Sequence, residues 1–159
     1  MARSSSYAAA TMTVTMSEAI TINNKDFGSV QSYTIGSIAN VDRRILTVTT
    51  SEATIMTFST AMSAGQSIPA KVQYIRFTNL DDTNHIILTF ANENDDEAAI
   101  KLDAGRTFVF AGDISGGMAD VLDAIDGSGL TVSLGDLKSI TADADTASCD
   151  MEIFVAETA

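Results

Sequence analysis

The sequence predicts an all-β protein, an antiparallel two-sheet β-sandwich or jelly roll of roughly ten strands. Three observations predict it. Between residues 72 and 110 the chain reads VQYIRFTNLDDTNHIILTFANENDDEAAIKLDAGRTFVF, four short runs rich in β-branched and aromatic residues, separated by LDDTN, NENDD and DAG. Those spacers are too short to hold helices, so antiparallel neighbours are expected. Period-two alternation recurs near both ends, with Met12, Val14 and Met16 set against Thr11, Thr13 and Thr15, and with Met151, Ile153 and Val155 in the last run. The chain also carries 19 Thr and 16 Ser among 159 residues. Thr suits the outward face of a pleated strand, where its branched Cβ packs and its hydroxyl meets water.

Taken in order, residues 1–10 are small and polar and read as a flexible or partner-bound arm. A strand starts at Thr11, and a shorter one, residues 19–22, stops at the turn pair Asn23-Asn24. Residues 29–35 and 44–49 read as two strands joined by a loop around Ala39-Asn40. Residues 52–60 place Met56 and Phe58 on one face, and residues 63–69 (SAGQSIP) form a loop broken by Gly65 and Pro69. Strands follow near 71–79, 85–91, 97–102 and 106–111, with Ile75/Phe77, Ile86/Leu88/Phe90 and Ile100/Leu102 as their apolar faces. Met118, Val121, Leu122 and Ile125 have helical spacing, which predicts a short helical or loop insertion near 118–125. Residues 130–134, 137–142 and 148–157 supply the last strands. A single sandwich domain over 11–159 accounts for the pattern, with 11–65 either its first sheet edge or an extension toward a neighbouring subunit.

Charge and composition exclude several classes. A net charge of −12 disfavours nucleic acid and anionic membrane surfaces, which bind clustered Lys and Arg. It leaves solubility through self-repulsion, or attraction to a basic partner or a divalent cation. Cys149 is the sole cysteine and His85 the sole histidine, so neither a disulfide framework nor a Cys/His zinc site is expected. No apolar run reaches the roughly 18 residues of a membrane span. The N-terminus lacks a continuous apolar core and makes a poor secretory signal, which suggests an intracellular origin.

Catalytic constellations are scarce. His85 is the only candidate base and reads as a strand-start residue bonded to nearby backbone. Cys149 lies in SCDMEIF, without an electropositive setting, and reads as a buried small hydrophobe. Gly112, Gly116 and Gly117 lack the Lys and the strand–helix context of a phosphate loop. The absence of Trp and the three Tyr count against sugar stacking, and the residues present no small-molecule substrate site. An enzyme is not expected. Asn92-Glu93-Asn94-Asp95-Asp96-Glu97 offers oxygens at alternate positions, as calcium requires, with Asp81-Asp82 and Asp143/Asp145 as further donors. It lacks the central Gly and terminal Glu of an EF-hand, so a solvated hairpin loop is the plainer reading, and no cofactor is expected. Met12, Met16, Met56, Met62, Met118 and Met151 fill core gaps or adapt a subunit interface.

The turns carry a resemblance. Tyr74-Ile75-Arg76-Phe77-Thr78-Asn79-Leu80-Asp81, then Thr83-Asn84 and a strand, then Ile100-Lys101-Leu102-Asp103-Ala104-Gly105-Arg106, resembles small β-sandwich virion proteins of tailed bacteriophages. The closing residues 137–157 look like their final strand pair, so the resemblance covers about half of the chain, from 70 to 159. It implies a non-enzymatic structural protein of the virion, made in the host cytoplasm and partnered by itself and other virion proteins. A capsid decoration or cement protein comes first and a neck or tail ring component next. Arg76 and Arg106 flank the turns and, with Met12 and Met16, are the assembly-interface candidates. The alternative is a calcium- or glycan-binding β-sandwich module for host attachment.

Overall fold

The computed structural model describes residues 8–61, 65–113, 115–123 and 134–159, and it is a two-sheet antiparallel β-sandwich. Its strands are β1 (Ala10–Glu18), β2 (Thr21–Ile22), β3 (Lys25–Asp26), β4 (Ser29–Val48), β5 (Ala53–Phe58), β6 (Gln66–Ser67), β7 (Val72–Asn79), β8 (Ile86–Asn92), β9 (Glu97–Leu102), β10 (Thr107–Ala111), β11 (Leu137–Ala144) and β12 (Cys149–Thr158). One five-stranded sheet runs β1-β4-β12-β7-β10 and the other β6-β5-β11-β8-β9, while β2 and β3 form a separate two-stranded hairpin. Every pair is antiparallel except β5 with β6.

The core lies between the sheets, because alternate residues of β7, β8 and β12 point inward. Ile75 and Phe77 from β7 and Met151, Ile153 and Val155 from β12 meet Ile86, Leu88 and Phe90 from β8. Phe90 sits at the centre, its ring 6.1 Å from Phe77, 5.7 Å from Phe108 and 5.3 Å from Phe110. Met56, Met118 and Met151 are buried core residues, whereas Met62 lies outside the described residues.

Several expectations are corrected. The four runs between 72 and 110 do not all pair with their chain neighbours. β8 pairs with β9, but β7 pairs with β10 and β12 in the opposite sheet. The turn after Asn79 therefore crosses between sheets, because its short Asx-type hydrogen bonds turn the chain away from β7 instead of back onto it. The loop around Ala39-Asn40 is absent. β4 is one strand of 20 residues, irregular where its register shifts and where Ser37 has φ 60°. Small residues there let the strand kink while its ladders continue on either side. Of the helical and loop alternatives near 118–125, the described part is a loop element: residues 118–120 form a turn and Leu122 bridges Gly135. Residues 124 and 125, and 130–133 of the strand expected at 130–134, lie outside the described residues. Part of the loop expected at 63–69 instead adds β6 to the edge of β5, followed by a 3-10 turn at Pro69–Lys71.

Candidate assembly interface

β4 changes partners along its length. Its first half pairs with β1, from Ala10↔Ile38 to Glu18↔Ser29, and its second half pairs with β12, from Thr158↔Ile38 to Cys149↔Val48. β1 and the first half of β4 thus form an arm extending from the sandwich, with the β2–β3 hairpin near its tip. The tip turns at Asn23 (φ 50°) and Asn24 (φ 63°), two left-handed residues as a two-residue hairpin loop of mirror-image type requires. Ser29 Oγ donates to Glu18, the Gly28 N–H donates to Asp26, and the Phe27 N–H closes on the Ile20 carbonyl.

The root of this arm is docked. Met12, Val14 and Ile35 pack with Ile38, Tyr74, Phe154 and Ala156 on the outward face of the first sheet. That cover explains why β12 is buried on both faces, although alternation predicted burial only for Met151, Ile153 and Val155. Beyond the root, every residue from 15 to 34 is exposed except Ser29. Six large apolar side chains on the arm, Met16, Ile20, Ile22, Phe27, Val30 and Tyr33, are between 36% and 67% exposed.

Beside the root lies a cleft of about 470 Å³, lined in part by Met12, Val14, Arg43, Tyr74, Arg76 and Phe154. Glu152 on β12 sits next to it between two guanidinium groups. Arg43 donates through Nε (2.8 Å) and Nη2 (2.6 Å) to one carboxylate oxygen, and Arg76 donates to the other. Arg76 also lies 5.6 Å from the Phe154 ring centroid, a cation–π placement. The hydrogen bonds from Arg43 hold the Glu152 carboxyl below its usual range, and burial pushes the Tyr74 hydroxyl above its own.

A carboxyl lowered on folding stabilises the fold above its unfolded value and loses that contribution as pH falls through the folded value. Glu152→Gln is accordingly expected to be less stable than the parent at pH 7, with the gap closing below the ordinary value of 4.5. Urea unfolding across pH checks this, and a gap constant down to pH 3 would count against the pairing.

The interface candidates separate. Met12 is half-buried in the root, whereas Met16 lies beyond it and is exposed. Arg76 is paired within its own chain. Arg106 is exposed, and its main chain does the structural work of the KLDAGR turn: its N–H donates to the Asp103 carbonyl and its carbonyl accepts from Asn79. Gly105 has φ 66°, the left-handed conformation that turn requires. Arg76 and Arg106 share no ion pair or hydrogen bond among the described residues. Sequence reasoning missed Arg43, Glu152 and the apolar tip from Ile20 to Val30. A hairpin signal at Asn23-Asn24 flanked by Ile20, Ile22 and Phe27 was available for the tip. No local signal marks Glu152, whose partners are 109 and 76 residues away.

Other chemistry-bearing residues are in local structural use. Cys149 is buried, its thiol directed at the carbonyls of Ala147, Asn84 and His85, and desolvation pushes its pKa up. His85 Nδ1 lies 3.4 Å from Asp145. In the loop after β8, Asn92 Oδ1 accepts from the N–H groups of Asn94 and Asp96, and Asp95 pairs with Lys138. Among the described residues, no three His, Cys, Asp or Glu side chains gather as a metal would require.

No family model and no curated protein matches the chain. Among solved structures it is similar to a chain from Bacillus endospore appendages, described as forming a novel family of disulfide-linked pili. The identity is 11%, over 77% of this chain and 88% of that one, with a TM-score of 0.44. A likeness that distant assigns no role to any residue here.

Proposed function

We propose that this protein is a non-enzymatic structural subunit of a bacteriophage virion, a decoration or cement protein of the capsid or a ring component of the neck or tail, that attaches to neighbouring subunits through its arm. The observation that carries the assembly reading is the set of large exposed apolar side chains on the arm. A two-stranded hairpin is marginally stable in water without a covered face. Large apolar side chains concentrated on such an element mark an interaction site. The resemblance of the turns between 74 and 106 to virion proteins supports a virion as the particle.

Two measurements test the reading. The full chain is expected to self-associate or to bind its particle in a concentration-dependent way. A variant carrying Ile20→Ser, Ile22→Ser, Phe27→Ser and Val30→Ser is expected to lose that association at least about tenfold while keeping its melting temperature within a few degrees. Each exposed apolar side chain buried at an interface is worth roughly 1.5–3 kcal/mol, while exposed positions contribute little to folding. Mass spectrometry of purified phage particles from the source should find the chain in many copies. Its absence would remove the virion reading, and unchanged association of the variant would remove the arm.

A further inference from the structure

Among the described residues, the second half of β4 pairs along one edge only, with β12. β1 lies on the edge opposite β12, since Ile38 pairs with both Ala10 and Thr158, and the β1 ladder ends there. Among the described residues nothing pairs with that edge over residues 39–47. An open strand edge presents a row of main-chain donors and acceptors, a template for another strand.

We infer that this edge pairs antiparallel with the same edge of a second copy, about a two-fold axis at Arg43. The sequence Val41-Asp42-Arg43-Arg44-Ile45 is self-complementary in that register. Directly opposed residues of an antiparallel pair project from the same face. On the outward face, Val41 meets the second copy's Ile45 twice over, and these two side chains are 51% and 63% exposed in the single chain. On the inward side, where Arg44 also donates to the Ile55 carbonyl of β5, Asp42 meets the second copy's Arg44. Both are about half exposed, and they are already matched to each other at 2.6 Å within one chain. Arg43 opposes itself, and each copy carries its own counter-charge in Glu152. Opposite charges and apolar pairs directly across a ladder stabilise it, and an isologous contact of this kind closes at a dimer.

The inference rests on the assembly reading in taking another copy as partner, but it uses a surface separate from the arm tip. A single strand pair is at the small end of specific interfaces, so association is measured by sedimentation at concentrations of about 100–500 µM. Asp42→Arg and Arg44→Asp each place like charges across the axis and are expected to weaken dimerisation at least about tenfold. The double swap of both residues restores it. Arg43→Cys brings two thiols to the axis within disulfide reach and should form a covalent dimer on mild oxidation. The parent, whose one thiol is buried, should not. Circular dichroism confirms folding of each variant, and Arg43→Cys carries the test alone if a charge variant does not fold.

A parent chain that stays monomeric, or a folded Arg43→Cys chain that does not cross-link, overturns the inference. Association abolished by the arm-tip variant with no cross-link leaves the arm reading standing and removes the edge. A cross-link with an arm variant that associates normally does the reverse.

Discussion

Asn79→Ala is expected to lower the melting temperature by roughly 5–15 °C, from a loss of about 2–4 kcal/mol in a domain of this size. Asn79 ends β7 and is fully buried. Its Nδ2 donates to the Asn84 carbonyl at 2.9 Å and to the Leu102 carbonyl at 3.2 Å, while its Oδ1 accepts the Asp81 N–H at 3.0 Å. Alanine leaves all three main-chain groups without that partner. Leu102 is buried and its carbonyl has little access to water, whereas Asp81 and Asn84 are partly exposed and recover some of the loss. Asp81 reinforces the same turn, and the N–H groups of Asn84 and Thr83 hold its carboxyl below the usual range. Thermal unfolding checks the expectation, and a fall of under about 2 °C would mean that water replaces the side chain.

Phe90→Ala should cost about 3–5 kcal/mol, the range for emptying a buried aromatic site. The ring is the bridge between sheets, since Phe90 belongs to the β8 sheet and Phe77, Phe108 and Phe110 to the other. Losing it removes three edge-on or tilted ring contacts at once, and the two sheets, tied by their strands, cannot collapse fully onto the gap. Urea unfolding should show a lower midpoint with an unchanged slope. A shift worth less than about 1 kcal/mol would show that Phe108 and Phe110, both half-buried, swing in to fill the space.

Much of the fold was legible because its signals are local. The run from Val72 to Phe77 and the alternation of Ile86, Leu88 and Phe90 follow from the two-residue period of a strand, which needs no knowledge of partners. Asn23-Asn24, Asn79 to Asn84 and Gly105 were readable as turns because each uses side chains or backbone freedom within a few residues. The candidate interface was legible only in part. Met12 and Met16 share one face in sequence, yet four residues separate a docked side chain from an exposed one. That depends on where Tyr74 and Phe154 lie.

By itself, the sequence determined that the chain is all-β, where most strands run, and which side chains of β7, β8 and β12 face the core. Those properties come from backbone geometry and turn chemistry acting over a few residues. Only the tertiary structure decided that β7 pairs with β10 and β12, that β4 runs unbroken through Ala39, that Glu152 sits between Arg43 and Arg76, and that no described residue covers the arm tip or pairs with the second β4 edge. Each of these depends on which distant segments meet, and pairing over such separations is set by how the two sheets close around one core.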